Sequence, residues 1–280
     1  AAGGRWGRSK MMSVNEKNLD VTKAWEIMLT TGREYAGMGR FRHMLKFLPR
    51  NPRCRICNAP FEGLGGGLVK MFLGKQPSRL NPLICNACEV FAQKHPGGAE
   101  IELAMLFADI RGSTALAEKL GAREFSNLID RFFRVASDLL VHTDGMIEKL
   151  IGDQVACLYM PGFAGPRYAQ RAVQAARELL EATGHGGSKS PWVPLGIGVH
   201  HGRAFVGAVG SKDGVVEITA LGDAVNATAR LASLAGVGEI LLTEEAIEHA
   251  HWQPDGHERR LLELKGRIAP LAVRVLHAGG

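Results

Sequence analysis

Three short stretches carry residue types that do chemistry on a polyphosphate. In Phe107-Ala108-Asp109-Ile110-Arg111-Gly112-Ser113-Thr114 a carboxylate ends an apolar run that starts at Leu103, and a glycine opens a helix. Free backbone N–H groups at a helix N-terminus face an anion, glycine lets the backbone approach closely, and a neighbouring carboxylate holds a divalent cation against phosphate oxygens. Gly112, Ser113 and Thr114 are the candidate phosphate binders and Asp109 the candidate metal ligand. An aspartate before a helix is also an ordinary cap, so this stretch does not decide alone. In Lys149-Leu150-Ile151-Gly152-Asp153 a second carboxylate sits at a tight turn, where turn geometry by itself would explain it. Together the two carboxylates can hold a pair of Mg2+ ions, one activating an attacking oxygen and the other neutralising the leaving phosphates. The third stretch is Leu221-Gly222-Asp223-Ala224-Val225-Asn226-Ala227-Thr228-Ala229-Arg230. Asn226 and Arg230 are four apart at a helix start and share a face. An arginine there meets charge on a transferring phosphoryl group, and an asparagine orients a sugar. Arg230 in a surface ion pair is the competing reading; the combined spacing of the three stretches favours chemistry.

A second set of candidates is metal-binding. Cys54-Arg55-Ile56-Cys57 and Cys85-Asn86-Ala87-Cys88 are two C-x-x-C knuckles with 27 residues between Cys57 and Cys85. In a chain without an export signal such spacing points to metal before disulfide. Four thiolates close a tetrahedral Zn2+ site and supply folding energy that this core-poor segment, rich in Gly and Pro, lacks. An iron–sulfur cluster takes the same ligands. His95, seven residues past Cys88, is an alternative ligand or a solvated linker residue, and Cys157, in an apolar run, reads as a small buried side chain. The second knuckle is similar to that of GATA-type, treble-clef zinc fingers over a few residues.

The elements that position these residues follow from hydrophobic periodicity. The 280 residues are 46% hydrophobic and 22% charged, enough to bury a core. No apolar run approaches the roughly 18 residues of a membrane helix, and the basic start (Arg5, Arg8, Lys10) has no apolar signal core behind it, so a cytoplasmic protein is expected. The chain opens on Ala1, which leaves processing or truncation open. Residues 1–98 hold 16 Lys and Arg against 6 Asp and Glu, a balance of +10, whereas residues 99–280 balance at −4. That basic front fits nucleic acid, an anionic surface or an acidic partner, or simply a solvated face.

Residues 1–18 read as a loose arm and 19–49 as a helical segment. In the latter Val21, Ala24, Trp25 and Met28 recur after an Asp20 cap and before Gly32, and Phe41, Met44, Leu45 and Leu48 recur before Pro49. Residues 50–98 form the four-cysteine module and 99–280 an α+β domain. Strands are expected near 102–108, 146–151, 154–160, 193–200, 203–209 and 215–220, with helices near 114–119, 122–141, 165–183 and 222–235. Edge strands surround a turn at Lys265-Gly266. Gly152-Asp153 is the whole connection between two strands, a hairpin. This order predicts a ferredoxin-like antiparallel sheet with helices on one face.

Residues 100–277 resemble the class III adenylate/guanylate cyclase catalytic domain, in the three stretches above and in Val199-His200-His201-Gly202, Gly207-Ala208-Val209-Gly210 and Leu264-Lys265-Gly266. The resemblance implies that Asp109 and Asp153, with the Ile110 carbonyl, bind two Mg2+ or Mn2+ ions. It implies that Lys149 reads the purine with Thr219, the partner found in a bacterial subset, that Asn226 orients the ribose, and that Arg230 stabilises the transition state. Ser113 departs from the Phe of many members. Glu148 is expected on the opposite strand face from Lys149, without a role.

The base-reading pair then permits a choice. Adenine offers an acceptor at N1 and a donor at its exocyclic amine, and guanine the reverse at N1 and O6. Lys149 only donates and the Thr219 hydroxyl can accept, which suits adenine. The expected activity is conversion of ATP to 3′,5′-cyclic AMP and pyrophosphate, with substrate or water taking the proton, because no motif supplies a dedicated general base. The resemblance also implies a homodimer whose metal aspartates come from one subunit and whose lysine, threonine, asparagine and arginine come from the other. The alternative is a nucleic-acid- or partner-binding zinc-finger protein that uses the cyclase domain only to dimerise.

Overall fold

A computed structural model describes residues 21–32, 34–48, 52–187, 190–210, 214–264, 266–267 and 269–278, backbone only at 34–39. The apolar run expected at 102–108 is the middle of a longer strand, β1 (Gly97–Ile110), whose alternation buries both faces. Ala104, Leu106 and Ala108 enter one core and Leu103, Met105 and Phe107 another. Beside it runs β4 (Leu195–Gly210), paired with β1 in register from Gly97↔Ala208 to Ile110↔Leu195. Two strands were expected here; continuous pairing through Gly202 makes them one.

On the other edge of β1, β3 (Gln154–Tyr159) pairs antiparallel and carries β2 (Met146–Ile151) through the expected Gly152-Asp153 hairpin. Beyond β4 lie β5 (Val216–Leu221) on one half and β6 (Glu239–Thr243) on the other, followed by β8 (Leu271–His277) and β7 (Arg259–Leu262). All pairs are antiparallel except β4 with β6. The short run Glu239–Thr243 was not anticipated as a strand, nor was the helix α10 (Glu244–Ala250) behind it. Its signal was present in the sequence, because Thr243 caps Ala246 N–H at 3.3 Å and two glutamates fill the first turn.

Helices cover both faces of the sheet rather than one. On the first lie α6 (Ala122–His142), α8 (Tyr168–Ala182) and α10, through Phe132, Leu140, Ala172, Ala176 and Ile247. The helix expected at 165–183 is α8, which starts at Tyr168, and a short unanticipated helix, α7 (Pro161–Ala164), precedes it and ends where Gly165 turns the backbone to φ 75°. The second face receives α9 (Asp223–Leu234) and the N-terminal segment. That segment contains α1 (residues 21–31), α2 (Glu34–Leu45), α3 (Gly63–Leu73) and α4 (Asn86–Lys94). Trp25, Met28, Leu29, Ile56, Ile84 and Phe91 join Leu103, Met105 and Val206 in one continuous core. The expected arm at 1–18 and the Asp20 cap lie outside the described residues, as do Pro49 and Lys265. Gly32 ends α1 as expected, with φ 64°.

Candidate functional site

The end of β1 and the β2–β3 hairpin form the first corner of the site. Asp109 pairs with Gln154, and the next amide, Ile110 N–H, donates to Asp153 O at 3.3 Å, so both aspartates stand at the same end of neighbouring strands. Gly112 takes the left-handed conformation, φ 65°, and α5 (Ser113–Leu120) starts directly after it. The first amides of α5, at Ser113 and Thr114, have no partner within the helix, as at any helix N-terminus. Arg111 was not anticipated. Its guanidinium bonds the Asp109 carboxylate and the Ser233 carbonyl, and its backbone N–H donates to Pro194 O at 2.8 Å. Two carboxylates and a strand-end carbonyl are hard oxygen donors of the kind Mg2+ and Mn2+ take, so the residues fit the ion. A cation at Asp109 must share that carboxylate with Arg111.

A second corner gathers Lys149 and Thr219, 70 residues apart, around one carboxylate that was assigned no role. Glu148 is buried, and its Oε1 accepts from Thr219 Oγ1 at 2.5 Å and Ala220 N–H at 3.3 Å, with Lys149 Nζ at 3.6 Å. The expectation that Glu148 and Lys149 point to opposite faces fails for a local reason. The β2–β3 register jumps from Ile147↔Cys157 to Lys149↔Ala156, a β-bulge with Glu148 as the extra residue. A bulge breaks the alternation on which that expectation rested.

Asn226 and Arg230 lie one turn apart on α9, Asn226 exposed and Arg230 half-buried with its guanidinium beside Gly266. The structure thus brings Asp109, Ile110, Asp153 and Gly112–Thr114 to one corner, Lys149 and Thr219 to another, and Asn226 with Arg230 to one helix face.

The four cysteines converge. Cys54 and Cys57 come from a knuckle closed by Cys54 N–H on Ala59 O at 2.9 Å and by Asn58 at φ 59°, while Cys85 precedes α4 and Cys88 lies in its first turn. All are buried, their sulfurs lie within 4.8 Å of one another, and Cys57 and Cys85 Sγ are 3.7 Å apart. Donation from the neighbouring thiols, helped by Lys75 Nζ at 3.6 Å, pulls the Cys57 thiol far below its ordinary range, while burial pushes Cys54 up. His95 is not in this cluster; its ring stacks on Phe91 at 4.8 Å. Cys157 is wholly buried and pushed up to about 12 by burial, as a packing residue would be.

The module reaches the second corner through side chains. Arg55, inside the first knuckle, donates to Glu148 O at 2.7 Å, and Asn81 Nδ2 donates to Val216 O at 3.1 Å. Arg42 is fully buried and donates to Ile56 O and Gly145 O, both at 2.5 Å. Asp144 beside it, also buried, holds Lys46 at 2.8 Å and bonds Arg171.

Comparisons with known proteins bear on the family and fold of residues 99–275. Residues 99–275 match the family model of the adenylate and guanylate cyclase catalytic domain. Among curated relatives, the Mycobacterium tuberculosis protein Rv1318c is 29% identical over 183 residues, covering 62% of this chain and 32% of its own. Rv1319c of the same organism is 31% identical over 164 residues, covering 56% and 30%. The chain therefore spans about a third of the length of these relatives. Among solved structures, the guanylyl cyclase Cya2 superposes with a TM-score of 0.55 at 27% identity, covering 65% of this chain and 95% of that one. The adenylyl cyclase CyaB from P. aeruginosa does so with 0.54 at 25%, covering 64% and 95%. Neighbours of both substrate types share the fold, and by the match over residues 99–275 this chain belongs to the adenylate and guanylate cyclase catalytic domain family.

Proposed function

We propose that the chain is an adenylate cyclase, converting ATP to 3′,5′-cyclic AMP and pyrophosphate at a site shared between two copies. The observation that carries the ATP reading is the convergence of Lys149 and Thr219 on one carboxylate, which sets a donor beside a hydroxyl that can accept. In the reaction the ribose 3′-oxygen bonds the α-phosphorus, the bond to the β-phosphate oxygen breaks, and the 3′-proton leaves to water or substrate. Asp109, Asp153 and the Ile110 carbonyl would hold two Mg2+ or Mn2+ ions, which when bound supply Lewis-acid stabilisation of the attacking and leaving oxygens. The first amides of α5 bind phosphate oxygens, Arg230 meets charge on the departing pyrophosphate, and Asn226 orients the ribose. Two copies complete two equivalent sites when the Asp109 corner of one faces Lys149, Thr219, Asn226 and Arg230 of the other. We take residues 19–49 and 50–98 as the units that brace or regulate the catalytic unit 99–280, in a cytoplasmic protein.

The cysteine cluster is read as a Zn2+ site. Zn–S bonds of about 2.3 Å in a tetrahedron set the sulfurs about 3.8 Å apart, close to the 3.7 Å between Cys57 and Cys85. An iron–sulfur cluster spreads its thiolates over several irons, which four sulfurs within 4.8 Å do not favour. Metal analysis with the absorbance of anaerobically purified protein checks this: one zinc and no visible charge-transfer band are expected.

The test of function is cyclic AMP formation from Mg-ATP and Mn-ATP beside cyclic GMP formation from GTP, with a salt-dependent DNA-binding titration in parallel. Cyclic AMP as the main product is expected. Salt-sensitive DNA binding with no cyclic product would favour the zinc-finger alternative.

A further inference from the structure

A threonine beside the purine does not by itself discriminate. Its hydroxyl donates to guanine O6 as readily as it accepts from the adenine amine, because the hydrogen rotates. The hydrogen of Thr219 is not left to rotate. It points at Glu148 Oε1 at 2.5 Å, and that oxygen must be an acceptor because Ala220 N–H also donates to it, at 3.3 Å. What Thr219 has left for a purine is lone pairs. An amine at position 6 meets them favourably, and a carbonyl oxygen meets them as one acceptor facing another.

Glu148 can do this only because it stands off the strand's alternation. As the extra residue of the β2 bulge, it loses ladder partners, and a bulge survives where its polar groups are satisfied elsewhere. Here the carbonyl of Glu148 accepts from Arg55 Nη1 at 2.7 Å, so the first cysteine knuckle holds the bulge from behind. The same carboxylate keeps Lys149 Nζ 3.6 Å away, on the side of the purine readers.

We infer that Glu148 is a specificity-determining residue: by fixing Thr219 as an acceptor it makes the site reject purines that carry a 6-oxo group. It acts through Thr219 and is therefore a positioning residue. The inference rests on the reading of Lys149 and Thr219 as the base-reading pair.

The test is steady-state turnover of ATP, GTP and inosine triphosphate by the full chain and by Glu148→Gln, Glu148→Ala and Thr219→Val, with competition of each nucleotide against a fluorescent ATP analogue as a binding readout. Alanine removes the acceptor and frees the hydroxyl hydrogen for O6, whereas glutamine keeps a carbonyl oxygen that Ala220 N–H holds at the Oε1 position and so should keep the wild-type ratio. Glu148→Ala is expected to raise GTP relative to ATP in kcat/KM on the order of tenfold, the worth of one well-placed hydrogen bond. Inosine triphosphate should move with GTP, since both carry the 6-oxo group, and the change should fall mainly on KM. In the Thr219→Val background Glu148→Ala should move the ratio no further, as two residues acting through one hydrogen bond are not additive. A Glu148→Ala protein that still binds the fluorescent ATP analogue and weakens all three nucleotides equally, or leaves their ratio unchanged, overturns the inference while the adenylate reading stands. A wild type that prefers GTP and loses that preference in Glu148→Gln overturns both and makes Glu148 a guanine reader.

Discussion

The catalytic sheet and the four-cysteine module solve the same problem by different means. In the sheet, β1 and β4 satisfy one another's backbone over fourteen paired residues and bury alternating side chains on two faces. Among the described residues of the module, the isolated bridges Arg53↔Pro60 and Pro77↔Cys85 stand in place of paired strands. Beside its turn bonds, arginine side chains serve its carbonyls: Arg42 on Arg55 O and Ile56 O, and Arg53 on Asn58 O. Irregular backbone can be buried only when its polar groups find partners, and where no ladder exists arginine supplies several donors at once. The side chains that order the module also end on the catalytic domain, at Gly145 O just before β2 and at Glu148 O within it, next to Lys149.

Removing the proposed zinc should separate the two regions most sharply. Structural zinc is worth about 10–16 kcal/mol in small thiolate domains, so a Cys88→Ser chain, or one treated with a strong chelator, should lose protection at residues 52–96 in hydrogen exchange. The amides of β1 and β4 should stay protected; if they exchange at the same rate as the module, the contrast collapses.

Breaking the catalytic corners should leave both regions folded. Asp109→Ala and Arg230→Ala chains should each lose about a thousandfold in activity, the scale for metal-linked and arginine stabilisation of phosphoryl transfer, with unchanged melting. Random pairing of the two should give about half heterodimers with one intact site each, restoring roughly a quarter of wild-type turnover. A mixture that stays inactive while heterodimers form defeats the shared site.

Asp144→Ala tests the polar joint between the regions. It strands Lys46, side chain 6% exposed, and Arg171 without their buried carboxylate, and breaking such a group typically costs about 3–5 kcal/mol. A fall in the denaturant midpoint of the whole chain is expected, and a midpoint within error of the wild type would mean that the joint carries no stability.

The smallest effect belongs to the sheet alone. Burial pushes His200 and His201 down to about 4, and for His201 the neighbouring His249 and His200 add to it. The unfolded chain takes up these protons near 6.5 and the folded one near 4, so the unfolded state binds more protons between those values. Stability is therefore full above pH 6.5 and lost as the pH falls toward 4, by up to about 3 kcal/mol for each histidine. Melting temperatures across that window should fall less in His201→Gln than in the wild type.

Much of the site was legible because chemistry constrains residue type and spacing locally. Asp109 at a strand end, Gly112 before a helix, Asp153 in a two-residue turn and Asn226 with Arg230 one helical turn apart all sit in the local structures their neighbours predict. The cysteine spacing likewise predicted a cluster, and the sulfurs meet. Glu148 escaped because period-2 alternation is an average property of strands, and a bulge, which no residue type announces, reverses it. Arg111, Arg55 and Arg42 escaped for a related reason. A long cation in a polar stretch reads as a solvated side chain, and only the fold shows which carbonyl or carboxylate it reaches.

The sequence by itself determined the family, the candidate metal and phosphate residues, the paired knuckles and most of the strand and helix order, because these rest on short-range patterns of apolar period, turn residues and ligand spacing. The tertiary structure alone decided that β4 is one strand, that both faces of the sheet are covered, and that the cysteine module leans on the strand carrying Lys149. It also decided which way the Thr219 hydroxyl points. These depend on contacts between residues seventy or more apart in the chain, where the direction of a single hydrogen bond is set by what packs against it rather than by its own neighbours.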